Sequence, residues 1–534
     1  MVSLAVVLVA SVFARQMERV ASTDPAQCQS VCDSKVIQLI YETPLNIDYY
    51  ARPYKLVPGA CELPEVSADG LTYIFRLREK CGSRSVELGG KCESRSVELG
   101  VKDVKDFEDS TTPHSTLLAP NSHDIVRSLE RLRDPKIVSP NGWYLKSVDT
   151  IKALDDKTIE IKMKRRQHVF PWIMAMSGCG IVKEDGSGTG PFELIKWWKN
   201  HEMVFRRRGI GNGELGMGNG FDEVRFLVID DMSTQWLMFL NGELDVLGEI
   251  SQDNWDAVVD KDGNLSPDLV KAGVKMYSMP TLSVMYIGLN MKDPVLGNNK
   301  KLRQALNAAF DFDAWNRFYC NRAEEAGGPL PPTVEVALPA DTFKYRFNLE
   351  LAKKLIAESG YPDGIDPKTG RRLVLTVSMG RASQDARERA ELMASFYEKI
   401  GVKLETKFYT WDAFLKAVNE GRTQMYQMGW VGDYPDAENF LQLFHSSNVS
   451  PGANHSCYVN PEYDRAYDAA MAATTVEERN RYWRECQEIV REDCPWVYTH
   501  VPKSNSLVRP SVGNYIPSDF PYGQEAYLEA KGKR

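Results

Sequence analysis

The sequence predicts an α/β protein built on a parallel sheet, and three observations carry that prediction. Between Leu373 and Met428 three strand-like runs alternate with two amphipathic helices, each helix closed by a glycine. Consecutive parallel strands need long right-handed crossovers, and helices supply them. The 534 residues exceed what a single hydrophobic core serves, so about three lobes of ordinary size are expected. Apolar residues at 43% and charged residues at 26% are globular values, favouring neither disorder nor a polytopic membrane protein.

In chain order, Val2 to Ala14 is an apolar run ending in Val-Phe-Ala. It is too short to span a bilayer and reads as a secretory signal with Ala14 the last residue removed. A first buried strand is the competing interpretation. No Lys or Arg precedes the run, and no lipobox surrounds Cys28. Export would permit disulfides among the ten cysteines, but their spacings name no pair. Cys28 and Cys32 resemble half of a metal site, yet no second pair and no nearby His completes it. No metal or cofactor is therefore expected.

The alternation of Leu71, Tyr73, Phe75 and Leu77 predicts a half-buried strand after the Asp69-Gly70 turn. Cys81 to Lys91 is then repeated almost unchanged as Cys92 to Lys102 and runs into a Ser/Thr/Pro stretch. Such composition buries little, so residues 80–121 are read as a disordered or poorly packed insertion in a lobe covering 44–179. A glycine-rich patch, Gly209 to Gly220, is equally unsuited to helix or strand. Between these patches a helix is expected over His123 to Arg133 and strands over Thr158 to Lys164 and Pro191 to Trp198. A helix over Met232 to Leu240 is expected to bury Trp236, Leu237 and Leu240. The turn Gly186 to Gly190, GSGTG, is not a nucleotide loop, because a strand follows it and no Lys-Ser/Thr does.

Beyond Val284 the pattern predicts a strand through Asn290, one helix over Lys300 to Tyr319, and a helix capped by Asn348 and ended by Gly360. The βαβαβ run follows: strand Leu373 to Ser378, helix Asp385 to Ile400, strand Val402 to Tyr409, helix Trp411 to Asn419, strand Thr423 to Met428. Helices over Pro461 to Ala473 and Val476 to Glu492 lead to a strand at Trp496 to Val501.

The stretch GWVGDYPDAENFLQLF, Gly429 to Phe444, leaves the carboxyl end of the third strand of that run. In open parallel sheets ligands sit beyond this edge. Trp430 offers a stacking face and Asp433 a carboxylate, a composition suited to a positively charged small ligand. A turn punctuated by Pro435 and Asp436 is the alternative. Gly429, Tyr434 and Asn290 complete the candidate ligand-binding set. The net charge of -8 argues against a nucleic-acid partner. No GxSxG, HExxH or P-loop is present, and the seven histidines form no ligand-spaced group. A peptide hydrolase is the least favoured class.

Seven segments in order resemble the extracytoplasmic solute-binding proteins of ABC importers, the dipeptide/oligopeptide/nickel-binding group known as family 5. They are VSADGLTYIFRLR (from Val66), DIVRSLERLRDP (from Asp124), GTGPFELIKWW (from Gly188), NGELDVL (from Asn241), YIGLNMKDPVLGNNKKLRQALNAAFD (from Tyr286), AKKLIAESGYPDG (from Ala352) and the Gly429 stretch. The resemblance implies a periplasmic-binding-protein-like α/β fold of class II type: a two-lobed clamp with an additional third lobe. The implied division is lobe I at 15–43, 180–287 and 496–534, lobe II at 44–179, and lobe III at 288–495, after a signal peptide at 1–14. It further implies that Asp433 meets the α-ammonium of a di- or oligopeptide, that Trp430 walls the pocket, and that a monomer delivers ligand to permease subunits outside the cytoplasmic membrane. A nickel chelate, haem or an oligosaccharide on the same fold, a receptor or scaffold module, or a decayed gene copy are the alternatives. The duplicated block stands where the family has a simple turn, which touches lobe II and leaves the βαβαβ lobe intact.

Overall fold

The computed structural model describes residues 11–51, 54–78, 120–208, 220–260, 263–450, 452–518 and 523–531. The duplicated block, nearly all of the 80–121 insertion, and the Gly209 patch up to residue 219 lie outside the described residues. Twelve strands share one sheet: β1 (Val12–Met17), β2 (Phe192–Trp198), β3 (Glu202–Arg207), β4 (Glu223–Val228), β5 (Val246–Leu247), β6 (Lys275–Pro280), β7 (Ser283–Leu289), β8 (Ala323–Glu325), β9 (Val374–Met379), β10 (Lys403–Phe408), β11 (Met425–Val431) and β12 (Trp496–Val508). Their order is β10-β9-β11-β7-β12-β5-β1-β4-β3-β2, with β6 and β8 also paired to β12. A separate antiparallel sheet of four strands includes Thr72–Arg76, Val148–Asp155 and Thr158–Met163.

The βαβαβ expectation holds: β9 pairs in parallel with both β10 and β11. The sheet as a whole is mixed, because β11 pairs antiparallel with β7 and β7 antiparallel with β12. The long strand β12 is the spine. Its first half, from Trp496 to His500, faces β7, and its second half faces β6. Two chain crossings therefore join the β6 side of the sheet to its β7 side, one between β6 and β7 and one within β12. They are tied together where the Thr281 backbone N–H and hydroxyl both donate to Pro502 O, at 2.9 and 3.0 Å. Because β7 is one continuous strand, a lobe boundary drawn at 287/288 cuts through it.

The N-terminal run takes a place in the sheet, and packing corrects two helix expectations. Val12 to Ala14 form the first half of β1, which lies between β4 and β5, and Phe13 is fully buried. A cut after Ala14 would split this strand. Apolar composition alone does not separate a signal's hydrophobic stretch from a central strand, since both demand it. The helix expected over Lys300 to Tyr319 is two, Lys300–Ala309 and Phe312–Phe318. Asp311 breaks it by capping Ala314 N at 3.0 Å, and the bend buries both Phe310 and Trp315. The helix Met232–Asn241 presents Gln235 and Phe239 to the interior, while Leu237 and Leu240 are 58% and 44% exposed. The Gln235 amide donates to Ile229 O at 2.7 Å, so a polar residue invisible to apolar periodicity sets the inward face.

The GSGTG turn has a structural purpose. Gly190 N–H donates to Ile40 O at 2.8 Å, closing the C-terminus of the helix Val31–Ile40. A Cβ on Gly188 would stand 2.1 Å from Ile40 O, so only glycine permits this approach. Buried apolar side chains form one large cluster reaching from the four-stranded sheet into the β7–β11 region. Two smaller clusters flank the β1 side of the large sheet. No two of the eight described cysteines are joined by a disulfide.

Candidate functional site

A cleft of about 420 Å³ opens where three parts of the chain meet. Cys28 to Val31 and Ser34 come from the entry of the helix Val31–Ile40. Asn141, Tyr144, Met176 and Ser177 come from the 44–179 region, and Val431, Gly432 and Asp433 from the end of β11. The first wall is fixed locally. Ser30 caps the helix by accepting from Asp33 N at 3.0 Å, and the Asp33 carboxylate accepts from the backbone N–H groups of Ala21, Ser22, Gln29 and Ser30. One buried carboxylate thus gathers the whole 21–30 turn. The second wall is tied to the first where Asn141 Nδ2 donates to Cys28 O at 2.9 Å. Ser177 Oγ, on the same wall, is buried with no hydrogen-bond partner among the described residues, which leaves it available to a ligand.

The third wall carries the charge. β11 runs on through Gly429 and Trp430, paired opposite Met285 and Val284, so these two are strand residues and not the loop that the sequence suggested. A Cβ at Gly429 would meet Met285 Sδ at 2.3 Å, so the Met285 side chain packs into the space that the glycine leaves. After Gly432 N–H donates to Leu282 O at 2.7 Å, the chain turns and Asp433 reaches the cleft. Asp433 N–H donates to Asn439 Oδ1 at 3.1 Å, Asn439 Nδ2 donates to Asp433 Oδ2 at 3.2 Å, and the Trp430 indole N–H donates to the same Asn439 Oδ1 at 2.9 Å. Burial raises the Asp433 carboxyl above its ordinary range, and the Asn439 hydrogen bond opposes that rise. A carboxylate held ready in a partly desolvated cleft interacts strongly with a cation.

Four expected site residues lie off the cleft: Gly429 and Trp430 within β11, and Tyr434 and Asn290 beyond it. Tyr434 is 2% exposed and points into the core, its hydroxyl donating to Glu438 Oε2 at 2.5 Å. Tyr467 donates to the other Glu438 oxygen at 3.0 Å. Burial raises the Glu438 carboxyl, and these two hydroxyls offset part of that rise. Asn290 sits at the opposite end of β7, where its amide donates to Gly421 O and Thr423 O at 3.1 and 2.9 Å. It fastens the turn that opens β11. Neither residue lines the cleft. The residues that sequence reasoning missed are Asn439, Asn141, Ser177 and Ser30. Asn439 stood inside the quoted stretch, but a polar residue in a short helix gives no periodic signal.

The family model described as bacterial extracellular solute-binding proteins, family 5, middle portion, matches residues 119–452. The chain belongs to this family. As a family 5 solute-binding protein it is a component of ABC importers, and its α/β clamp is the architecture of the related solved structures. Among curated relatives, Heme-binding protein A of Haemophilus influenzae is 26% identical over 89% of this chain and 84% of its own length. The dipeptide-binding protein of Escherichia coli is 24% identical over 86% and 84%. HbpA2 from Haemophilus parasuis superposes with a TM-score of 0.78 at 22% identity, covering 98% of this chain and 99% of that one. DppA from Helicobacter pylori, solved in complex with the peptide STSA, gives 0.72 at 22%, covering 98% of both chains. Family 5 binding proteins are periplasmic, and no helix among the described residues is long and apolar enough to cross a membrane.

Proposed function

We propose that this family 5 protein captures short peptides outside the cytoplasmic membrane, holds the ligand's α-ammonium on Asp433 and passes the peptide, as a monomer, to an ABC permease. The observation that carries this reading is the position of Asp433 on a cleft of about 420 Å³ between the lobes. Trp430, tethered beside it through Asn439, packs against the core and is not among the residues that line the cleft. The chemistry is capture without turnover: the one thiol on the cleft, Cys28, is pushed up to about 11 by burial, so it stays a protonated and poor nucleophile at neutral pH. The relatives named for dipeptides, and the neighbour solved with a bound peptide, support the same ligand class.

Calorimetry with a short peptide and its N-acetylated form tests the assignment. Asp433→Asn keeps the shape and removes the charge, so it should cost roughly 2 to 5 kcal/mol, about thirty-fold to several thousand-fold in affinity. Acetylation should weaken the wild-type complex strongly and that of the Asp433→Asn variant hardly at all. Equal losses in both proteins would return Asp433 to the role of a turn residue.

The similarity to Heme-binding protein A supports a second reading, haem as ligand. Among the described residues the cleft lining contains no histidine and its thiol is held protonated, which leaves Tyr144 and Met176 as the side chains there able to ligate haem iron. A haem titration followed in the Soret region decides: saturable binding in preference to peptide would replace the peptide reading.

A further inference from the structure

We propose that Asn439 is a positioning residue of the ligand grip, a side chain that ties the Asp433 carboxylate and the Trp430 ring into one unit. The inference rests on the peptide reading of Asp433 given above. Asn439 is fully buried in the short helix Ala437–Leu441, and its amide serves three partners at once. Oδ1 accepts from the Trp430 indole and from the Asp433 backbone, while Nδ2 donates to the Asp433 side chain. The orientation of the amide is dictated by these partners. Two N–H donors converge on one end and a carboxylate oxygen faces the other, so the reversed amide would set donors against donors.

The short helix is itself held from two sides, which makes Asn439 a fixed anchor and not a follower of the loop. At its start Asp436 accepts from Glu438 N at 2.9 Å, and Arg479 Nη2 donates to both of its carboxylate oxygens at 2.7 and 2.8 Å. In its middle Glu438 is gripped by Tyr434 and Tyr467. Only an amide of this length offers an acceptor for two donors together with a donor for the carboxylate. Ser is too short to span them, and Ala offers nothing. By spending its donor on one carboxylate oxygen, Asn439 fixes the plane in which Asp433 meets the ligand. By holding the Trp430 indole on the same oxygen, it makes the distance between charge and ring a constant of the site.

The test is the ratio of dissociation constants for an N-acetylated and a free-amine peptide, measured by calorimetry on wild type, Asp433→Asn, Asn439→Ala, Asn439→Ser and the double variant Asp433→Asn/Asn439→Ala. The ratio is insensitive to the fraction folded, because partial unfolding weakens both peptides alike. Losing a hydrogen bond to a charged group should lower the ratio by about tenfold to a hundredfold in each Asn439 variant. The double variant should show no further fall beyond Asp433→Asn. If Asn439→Ala does not fold, the Ser variant carries the measurement. A ratio kept at the wild-type value in a folded Asn439 variant overturns this proposal and leaves the peptide reading standing. A wild-type ratio near one, or one that Asp433→Asn leaves unchanged, overturns the peptide reading and this proposal with it.

Discussion

On the peptide reading Asp433 would hold the ligand's ammonium only as a carboxylate, and burial has raised its titration above the ordinary aspartate range. Peptide affinity should therefore begin to fall, on acidification, at a higher pH than an ordinary aspartate would give. Asp433→Asn should flatten that profile in a calorimetric pH series. The sign for stability is opposite. A carboxyl whose folded value is raised favours the fold when protonated, a contribution present below the unfolded value and lost as pH rises through the folded one. Unliganded Asp433→Asn should consequently melt above wild type at neutral pH, with the gain shrinking on acidification; a lower melting point at neutral pH would show that the carboxylate is structurally favoured. Tyr434 belongs to a different class of residue. Tyr434→Phe removes one of two hydroxyls that satisfy the buried Glu438 and should cost about 1 to 3 kcal/mol in denaturant unfolding. Peptide affinity should stay within about twofold, since the side chain faces away from the cleft. The sequence placed the aromatic, the acid and the phenol together because they are adjacent in the chain. It could not say which of them reaches the cleft, because the bend over residues 433–436 decides that.

At the scale of elements, β1 is the test of what the N-terminal apolar run does. Phe13 is fully buried in β1 and packs on Phe221 with ring centroids 5.3 Å apart. Phe13→Ala should cost about 3 to 5 kcal/mol, read from the unfolding midpoint at unchanged m-value. A protein starting at Arg15 would also forfeit the ladder from Val12 to Ala14 against Glu223 to Arg225, and should fail to fold as a cooperative unit. Full stability of that shorter form would restore the cleavage site after Ala14. The βαβαβ elements were legible because local signals agree there. Each helix has an apolar stripe and a glycine beyond its end, and Gly401 and Gly421 do take positive φ values of 78° and 66°. The break at Asp311 was not legible, because the apolar period runs straight through it and only the burial of both Phe310 and Trp315 demands the bend.

For the whole molecule, the chain passes from the β6 side of the large sheet to its β7 side at two places, beside Thr281 and beside Pro502. On the peptide reading the walls of the cleft are expected to draw together on ligand. Addition of a free-amine peptide should lower the radius of gyration in small-angle scattering, and at about 100 Kd it should stabilise the fold by roughly 2.7 kcal/mol. The acetylated peptide at the same concentration should do neither. An unchanged radius with saturating peptide would mean that the lobes are fixed.

By itself the sequence determined the fold class, the family and the stretch that carries the site, because these rest on local periodicity, capping residues and ordered motifs that survive in one dimension. Only the tertiary structure decided that Tyr434 and Asn290 serve the core, that Ala14 lies inside a strand, and that Asn439 joins Trp430 to Asp433. These outcomes depend on which surfaces meet across hundreds of residues. A hydrogen bond or a buried face has no signature in sequence until its partner is known.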